Sequence, residues 1–158
     1  MDSNNKPNWR RLHERCESIK DSAQKKLMLH DAIVAIEAEH GSSARELLYP
    51  YEALADIYHQ EGDEAMASML LLKLYLVLEV NYSDEPDCLL FKIISMFEMG
   101  YVKEATYACN SLLYLLYETN SVEPEIVNDA WCLLRKLNKQ FPENTAKKLL
   151  AYRRRKAA

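Results

Sequence analysis

The chain has 158 residues, of which 49% are hydrophobic and 28% are charged, and its formal net charge at pH 7 is −4. A chain of this length suits one domain and can bury enough apolar surface to fold without a disulfide or a metal. The mildly negative charge argues against non-specific nucleic-acid binding by the whole surface.

Apolar segments of the kind that direct a chain to a membrane or to secretion are missing from the sequence. We find no run of about 18 uncharged apolar residues and no apolar leader at the N-terminus. The four cysteines are irregularly spaced, without a CxxC pair, so we expect reduced thiols that pack as small hydrophobic residues. These features predict a cytoplasmic protein without a membrane span.

The beginning of the chain predicts a helical hairpin over about 7–40. Residues 1–6 are polar, and we expect them to be disordered. Pro7 suits the first turn of a helix, and apolar residues at helical spacing continue to about residue 22. A second helix is predicted at about 23–39, with Gly41 as a stop signal just after it.

The second predicted hairpin spans about 43–81. Ser43 to Glu46, SARE, is a capping-box pattern, so a helix is predicted to begin at Ser43. Pro50 then falls inside that helix, which predicts either a kink or a fresh helix start at the proline. Gly62 breaks the pattern, and another helix is predicted from there to the end of the hairpin.

Two more hairpins are predicted at about 86–119 and 124–156. In the first of these, a helix runs from Pro86 to Glu98, and Gly100 turns the chain into a second, strongly apolar helix. The last hairpin ends with a helix that carries the basic end of the chain. Because no segment alternates as a strand does, the chain is predicted to be all-α, with about eight helices.

Turn and helix residues recur at a fixed spacing along the chain. Three residues have a counterpart of the same type about 38 residues later, a spacing typical of a helical repeat array. Gly62, Ala67 and Pro86 are matched by Gly100, Ala105 and Pro124. We call the first helix of each hairpin helix A and the second helix B.

The second hairpin resembles the tetratricopeptide repeat. In that motif helix A has an aromatic residue, a Leu, a small residue and a Tyr, a Gly makes the turn, and helix B has an Ala and a large apolar residue. These places are filled in order by Tyr51, Leu54, Ala55, Tyr58, Gly62, Ala67 and Leu71. The next repeat keeps Leu89, Gly100, Ala105 and Pro124. A third keeps Val127, Ala130 and Leu134. It has Trp131 where a small residue belongs.

The resemblance covers about residues 48–140. It implies a right-handed α-solenoid of three to four antiparallel helix hairpins, in a single domain at about 7–158. It also implies a binding groove, because helix A of each repeat lines the concave face of such arrays. Helical spacing from Tyr51 then gives the groove-facing residues of three successive A helices. They are Glu52, Asp56 and His59, then Leu90, Ile94 and Phe97, then Asn128, Cys132 and Arg135.

These three sets are acidic, apolar and weakly basic. The acidic set has the wrong sign for clamping the C-terminal carboxylate of a partner, so an apolar or basic peptide suits the groove better. The apolar set forms an outward stripe, separate from three residues that should pack inward. The inward residues are Leu89, Ile93 and Met96. A partner segment, a terminus of the chain or a second subunit could cover the outward stripe, and the sequence leaves these alternatives open.

No motif for catalysis, for a cofactor or for a metal stands out in the sequence. The GxSxG, HExxH and glycine-rich phosphate-loop patterns are absent, and the four histidines are predicted on separate helices or helix ends. We therefore predict a non-catalytic adaptor, scaffold or chaperone that binds a partner peptide or protein and needs no cofactor. The small acidic tetratricopeptide chaperones of bacterial secretion systems are similar in size and helix content. The alternative is a structural subunit whose apolar groove is buried by homo-oligomerisation or in a larger complex.

The end of the chain is basic and comprises Arg153, Arg154, Arg155 and Lys156. Basic residues at the C-terminus of a helix offset its dipole and keep a terminal helix soluble. The alternative is contact with nucleic acid or with an anionic membrane. Four charges alone would bind a nucleic acid weakly, and added salt would reduce that affinity further. Nucleic-acid binding is therefore not the predicted function.

Overall fold

The computed structural model describes residues 8–119 and 124–140. Within these ranges the chain forms seven α-helices, one short 3-10 helix and no strand, which confirms the all-α prediction. The α-helices are α1 Asn8–Ser18, α2 Ser22–His40, α3 Leu48–Gln60, α4 Glu64–Asn81, α5 Pro86–Glu98, α6 Val102–Thr119 and α7 Pro124–Gln140. The predicted final helix, the basic end of the chain and the expected disorder of residues 1–6 lie outside the described residues.

Local signals explain both ends of α2. Its first turn is capped by Asp21, whose side chain accepts a hydrogen bond from the Ala23 backbone N–H at 3.2 Å. At the other end, Gly41 has φ 87° and its N–H donates to the Glu37 carbonyl at 2.9 Å. Glycine adopts this left-handed conformation without the strain that a Cβ would cause, so the predicted stop at Gly41 is confirmed.

The prediction of a helix start at Ser43 is wrong. The chain instead makes a 3-10 helix at Arg45–Leu47, and α3 begins at Leu48. Pro50 therefore lies in the first turn of α3, where its missing N–H would have had no intrahelical partner. Of the two outcomes predicted for this proline, a fresh helix start near it is the one observed, because the proline fits the first turn better than the interior of a helix.

The helices form two compact units, with the division between Asn81 and Tyr82. In the first unit α1 contacts α2, α2 contacts α3, and α3 contacts α4. In the second unit α5 contacts α6, and α7 contacts both helices of that hairpin. The polar linker that the sequence predicted after Asn81 thus coincides with the boundary between the units.

The two hairpins α3–α4 and α5–α6 repeat one another in length and in burial. Both A helices have 13 residues and both B helices have 18. The corresponding helix starts are about 38 residues apart, as predicted from the recurring turn residues. Ala67 and Ala105, the recurring small residues of helix B, are both completely buried. Small side chains at these positions let the paired helices approach closely.

Both hairpin turns use the same backbone hydrogen bonds. Gly62 donates its N–H to the His59 carbonyl at 3.1 Å, and the next N–H, that of Asp63, bonds to Tyr58 at 2.9 Å. The turn at Gly100 has the same two bonds, to Phe97 at 3.0 Å and, from Tyr101, to Met96 at 2.9 Å. This pair of bonds is the Schellman motif, which needs a left-handed residue after the helix end. The two glycines have φ 79° and 91°.

Replacing either turn glycine by alanine should destabilise the protein by about 1–2 kcal/mol. Beyond the glycine and its two neighbours in the chain, no heavy atom lies within 4 Å of the Cβ that would be added at Gly62 or Gly100, so the cost comes from the backbone conformation and not from a clash. Thermal unfolding of Gly62→Ala and Gly100→Ala checks this prediction. The matched Gly→Asn variants should lose less, because Asn tolerates the left-handed conformation better than Ala does. Equal stability of the Ala variants and the wild type would contradict it.

Helical spacing predicted the core of the first unit well. Four residues of α2 at i, i+3, i+4 and i+7 are buried, namely Leu29, Ala32, Ile33 and Ile36. The tetratricopeptide positions Tyr51, Leu54 and Ala55 of α3 are buried as well. Tyr58 is half-buried. These faces pack against each other because each helix alone would leave its apolar stripe in water.

The strongly apolar helix predicted after Gly100 is α6, and not all of its large side chains are buried. Leu112, Leu113 and Leu116 are buried, but Tyr114 between them is exposed.

The four cysteines also divide into buried and exposed residues. Cys16 and Cys109 are buried as small hydrophobic residues, whereas the expectation was wrong for Cys88 and Cys132, which are exposed thiols. Among the helices described, none has the length and apolar character needed to cross a membrane.

Candidate binding surfaces

The acidic set of predicted groove residues lies on the outer side of α3. Glu52 and Asp56 are exposed and His59 is half-buried. His59 Nδ1 is 3.5 Å from the Glu64 carboxylate at the start of α4. The carboxylates of Glu52 and Asp56 therefore give this face of α3 a negative charge.

The apolar stripe on α5 is only partly accessible. Leu90 is 7% exposed, so it is buried within the single chain, and Ile94 and Phe97 are half-buried. The residues predicted to point inward are completely buried; they are Leu89, Ile93 and Met96. The stripe therefore offers a partner mainly Ile94 and Phe97.

Phe91 is the residue of α5 that the sequence analysis missed. It is 75% exposed, more than any predicted groove residue of this helix. A helical wheel carries the signal, since Phe91 lies about 200° from the buried Leu89. It was overlooked because it stands in a run of apolar residues, where composition alone does not distinguish inside from outside.

The third set lies on α7, where Asn128, Cys132 and Arg135 are all exposed. Trp131, which departs from the small residue of the repeat, is half-buried. Its indole Nε1 donates a hydrogen bond to the hydroxyl of Tyr117 on α6 at 2.8 Å. The large side chain is thus accommodated at the contact between α6 and α7 instead of being forced into a tight helix crossing.

Each B helix carries its own short row of exposed apolar residues, which the sequence analysis did not predict. Each of α2, α4 and α6 carries two such residues at i and i+7, which share one face of a helix. The pairs are Leu27 and Val34 on α2, Met69 and Leu76 on α4, and Tyr107 and Tyr114 on α6. Val80 extends the row on α4. Among the described residues, Phe91 is the one large, exposed hydrophobic residue that lies on an A helix.

A cavity of about 380 Å³ lies beside the row on α4 in the first unit. It is bounded by the C-terminal halves of α2 and α4, by the loop between α2 and the 3-10 helix, and by one residue of α3. The lining residues are Glu37, Ser42, Ser43, Tyr51, Lys73, Leu76, Val77, Glu79 and Val80. Five of the nine lining residues are polar or charged, but the three aliphatic side chains and the Tyr51 ring make more of the wall surface apolar than polar.

Hydrogen bonds hold the cavity in shape. The buried Tyr51 donates its hydroxyl hydrogen to Glu37 Oε1 at 2.9 Å. Burial, followed by this bond to a carboxylate, raises the pKa of Tyr51 well above its ordinary value. The Asn81 side chain donates to the Ser43 carbonyl at 2.9 Å and to the Val77 carbonyl at 2.8 Å, so the loop is tied to α4. Because its pKa is raised, the Tyr51 hydroxyl is protonated at neutral pH and acts as a hydrogen-bond donor.

A separate polar cluster joins α2 to the C-terminal end of α3. Glu61 accepts a hydrogen bond from Ser22 at 2.5 Å and another from Lys26 at 2.6 Å. The bond from Lys26, more than that from Ser22, lowers the pKa of Glu61, and the same bond raises the pKa of Lys26. Lys26 Nζ also lies 5.0 Å from the centre of the Tyr58 ring, and His30 Nε2 is 3.2 Å from the Tyr58 hydroxyl. These contacts join side chains of α2 to side chains at the C-terminal end of α3, so the cluster links the two helices.

Residues 8–119 and 124–140 contain no group of three or more His, Cys, Asp or Glu side chains that could hold a metal ion. Comparison of the chain with known protein families, characterised proteins and solved structures found no match.

Proposed function

We propose that this protein is a non-catalytic interaction module that binds a segment of a partner protein, as an adaptor, scaffold or chaperone. The observation that carries the proposal is the repeated hairpin, in which two hairpins share their helix lengths and turn bonds. Repeats of this kind place side chains at equivalent positions and vary them independently, which suits recognition of an extended partner. In this proposal the hairpins stack as a right-handed tetratricopeptide-like solenoid.

The packing of α7 supports that arrangement within the second unit. Because α7 contacts both α5 and α6, it has the position from which a further repeat would be added. The proposed partner-binding residues are those of the A helices: Glu52, Asp56, His59, Leu90, Ile94, Phe97, Asn128, Cys132 and Arg135. The burial of Leu90 moves the emphasis of the second set to Ile94 and Phe97. The same burial makes the alternative, a subunit that needs a second copy to cover this stripe, less attractive.

Selection from a random peptide library displayed on phage tests the proposal. The immobilised full chain should enrich peptides that bind it with micromolar affinity in solution. If the A helices form the site, Ile94→Glu and Phe97→Glu should each weaken the binding of those peptides by at least about tenfold, because the substitution would place a charge in a half-buried apolar contact. Binding is measured by fluorescence anisotropy.

Phe91→Glu is the matched control on the same helix. It introduces the same charge at an exposed phenylalanine outside the predicted stripe, so the affinity should change little. Circular dichroism of every variant establishes that its helix content is retained, and Phe97→Ala replaces Phe97→Glu if it is not. A failure to enrich any binding peptide would contradict the proposed function.

A further inference from the structure

We propose that the first unit has a second binding surface, around the cavity between α2 and α4, for a partner segment that presents a large apolar side chain next to basic residues. We call this surface the Tyr51 cavity, defined by its nine lining residues. The inference rests on the proposed function, because it assumes that the chain is an interaction module. It assigns to the B helices a site that the A-helix groove does not include.

The apolar part of the surface is accessible without any rearrangement. Leu76 is 47% exposed and Val80 is 64% exposed, and both border the cavity. They lie at i and i+4 on α4, so their side chains adjoin on one face. A cavity of about 380 Å³ beside them is large enough to take one leucine or aromatic side chain. An apolar residue of the partner would thus exchange water contact for contact with Leu76, Val80 and the cavity wall.

The electrostatics of the cavity favour a positive partner. Glu37 and Glu79 are among its lining residues, against a single cation, Lys73. Lys73 Nζ lies 5.9 Å from the centre of the Tyr51 ring, so this cation already has a local contact. The cavity also adjoins the C-terminal ends of α2 and α4. Helix C-termini carry partial negative charge and attract cations.

These two properties together define the chemistry of the occupant. Apolar walls select a leucine or aromatic residue, and the negative surroundings select an arginine or lysine within about one helical turn of it. A purely apolar segment would gain nothing from the negative charge around the cavity, and an acidic segment would be repelled by both carboxylates and by the helix C-termini. The geometry therefore points to a short segment of a partner protein that is both apolar and basic.

The test uses peptides selected on the wild-type full chain from a random phage library. Peptides that bind the Tyr51 cavity should carry a large apolar residue near Arg or Lys. Their affinity should fall by at least about tenfold in Leu76→Glu and in Val80→Glu. Leu27→Glu is the matched control, because Leu27 is a 65% exposed leucine in the same unit that does not line the cavity. The selected peptides should bind this variant with the same affinity as the wild type.

Two further variants test the charge. Glu37→Gln keeps an acceptor for the Tyr51 hydroxyl but removes the negative charge, so binding of basic peptides should weaken about threefold at low salt and converge with the wild type at high salt. Lys73→Glu should strengthen the same binding. Enrichment of acidic peptides, or a Glu37→Gln effect that does not depend on salt, would overturn the assignment of a basic partner.

The outcomes separate this inference from the proposed function. If Phe97→Glu abolishes the binding of all selected peptides and Leu76→Glu affects none of them, the chain is an interaction module but the Tyr51 cavity is not a binding surface. If no peptide is enriched, the proposed function itself fails. Light scattering is the last arm: a wild-type dimer that Leu76→Glu converts to a monomer would show that the occupant is a second copy of the chain, which overturns the proposed partner.

Discussion

Truncating one core leucine in helix B should cost about 2–5 kcal/mol of unfolding free energy in either unit. Leu74 and Leu112 are a natural pair for this experiment, since they occupy equivalent positions of the two repeated hairpins. Their exposed fractions are 2% and 0%. In Leu74→Ala and Leu112→Ala the lost side chain leaves a cavity that the neighbouring helices fill only partly, so the loss includes a cavity term as well as a transfer term.

A loss of this size is a large part of the free energy of unfolding of a typical domain, which is about 5–15 kcal/mol. Urea unfolding followed by circular dichroism measures it. Leu27→Ala is the control, because the same atoms are removed from an exposed leucine and the change should stay within about 0.5 kcal/mol. Losses below about 1 kcal/mol in both core variants would contradict the packing described here.

The equivalence of the two hairpins gives this experiment a second use. If the two units unfold together, the two variants shift a single transition. If the units unfold separately, Leu74→Ala should move the transition of the first unit and Leu112→Ala that of the second. Each result identifies the cooperative unit of folding.

The four cysteines should fall into two classes of reactivity toward a thiol reagent such as DTNB. Burial raises the pKa of Cys109 to about 12 from an ordinary value of 9.0. The fraction of reactive thiolate at pH 8 is then about a thousandfold smaller, because each pKa unit is a factor of about ten. Its thiol also donates to the Ala130 carbonyl at 3.4 Å. Burial likewise raises the pKa of Cys16.

Cys88 and Cys132 are exposed and should react first. Desolvation and, next, a hydrogen bond to Glu85 raise the pKa of Cys88, so it should react more slowly than an ordinary thiol. A Cys88→Ser/Cys132→Ser double variant should lose the fast phase and keep the slow one. In urea all the remaining thiols should react rapidly. A fast phase from Cys109 in the folded protein would show that the contact between α6 and α7 is open.

The raised pKa of Cys109 also predicts how stability depends on alkaline pH. The unfolded thiol releases its proton near pH 9, whereas the folded thiol keeps it to about pH 12. The stabilisation is therefore complete below pH 9 and is lost between about pH 9 and 12, with a slope of about 1.4 kcal/mol per pH unit. Cys109→Ala should reduce that slope in urea titrations at pH 9 and pH 11.

Several boundaries of the fold could be predicted because single residues impose them. Gly62 and Gly100 end A helices by adopting a left-handed conformation, and Pro86 and Pro124 stand at the first position of α5 and α7. The start of α3 could not be predicted so well. The capping-box residues Ser43 and Glu46 gave a plausible local signal, but a proline four residues after the glutamate decided where the α-helix begins.

Exposure was harder to predict than secondary structure. In the run Leu89, Leu90 and Phe91, one residue is completely buried, one is nearly so and one is 75% exposed. All three are large and apolar, so composition does not distinguish them; helical spacing separates Phe91 from Leu89, and the packing of α5 against its neighbours decides which face is buried. The predicted site was placed on the A helices because the resemblance implied a groove there, so the exposed Leu76 and Val80 on a B helix were not singled out.

The sequence by itself determined the all-α class, the helix boundaries set by glycine and proline, and the repeat of about 38 residues, because glycine, proline and helical periodicity act within a few residues along the chain. Only the tertiary structure decided which apolar side chains stay in water. It also brought Glu37, Tyr51 and Lys73 from three helices to one cavity. Burial and contact between distant segments depend on packing, and the free energy of packing is shared among residues that no local pattern connects.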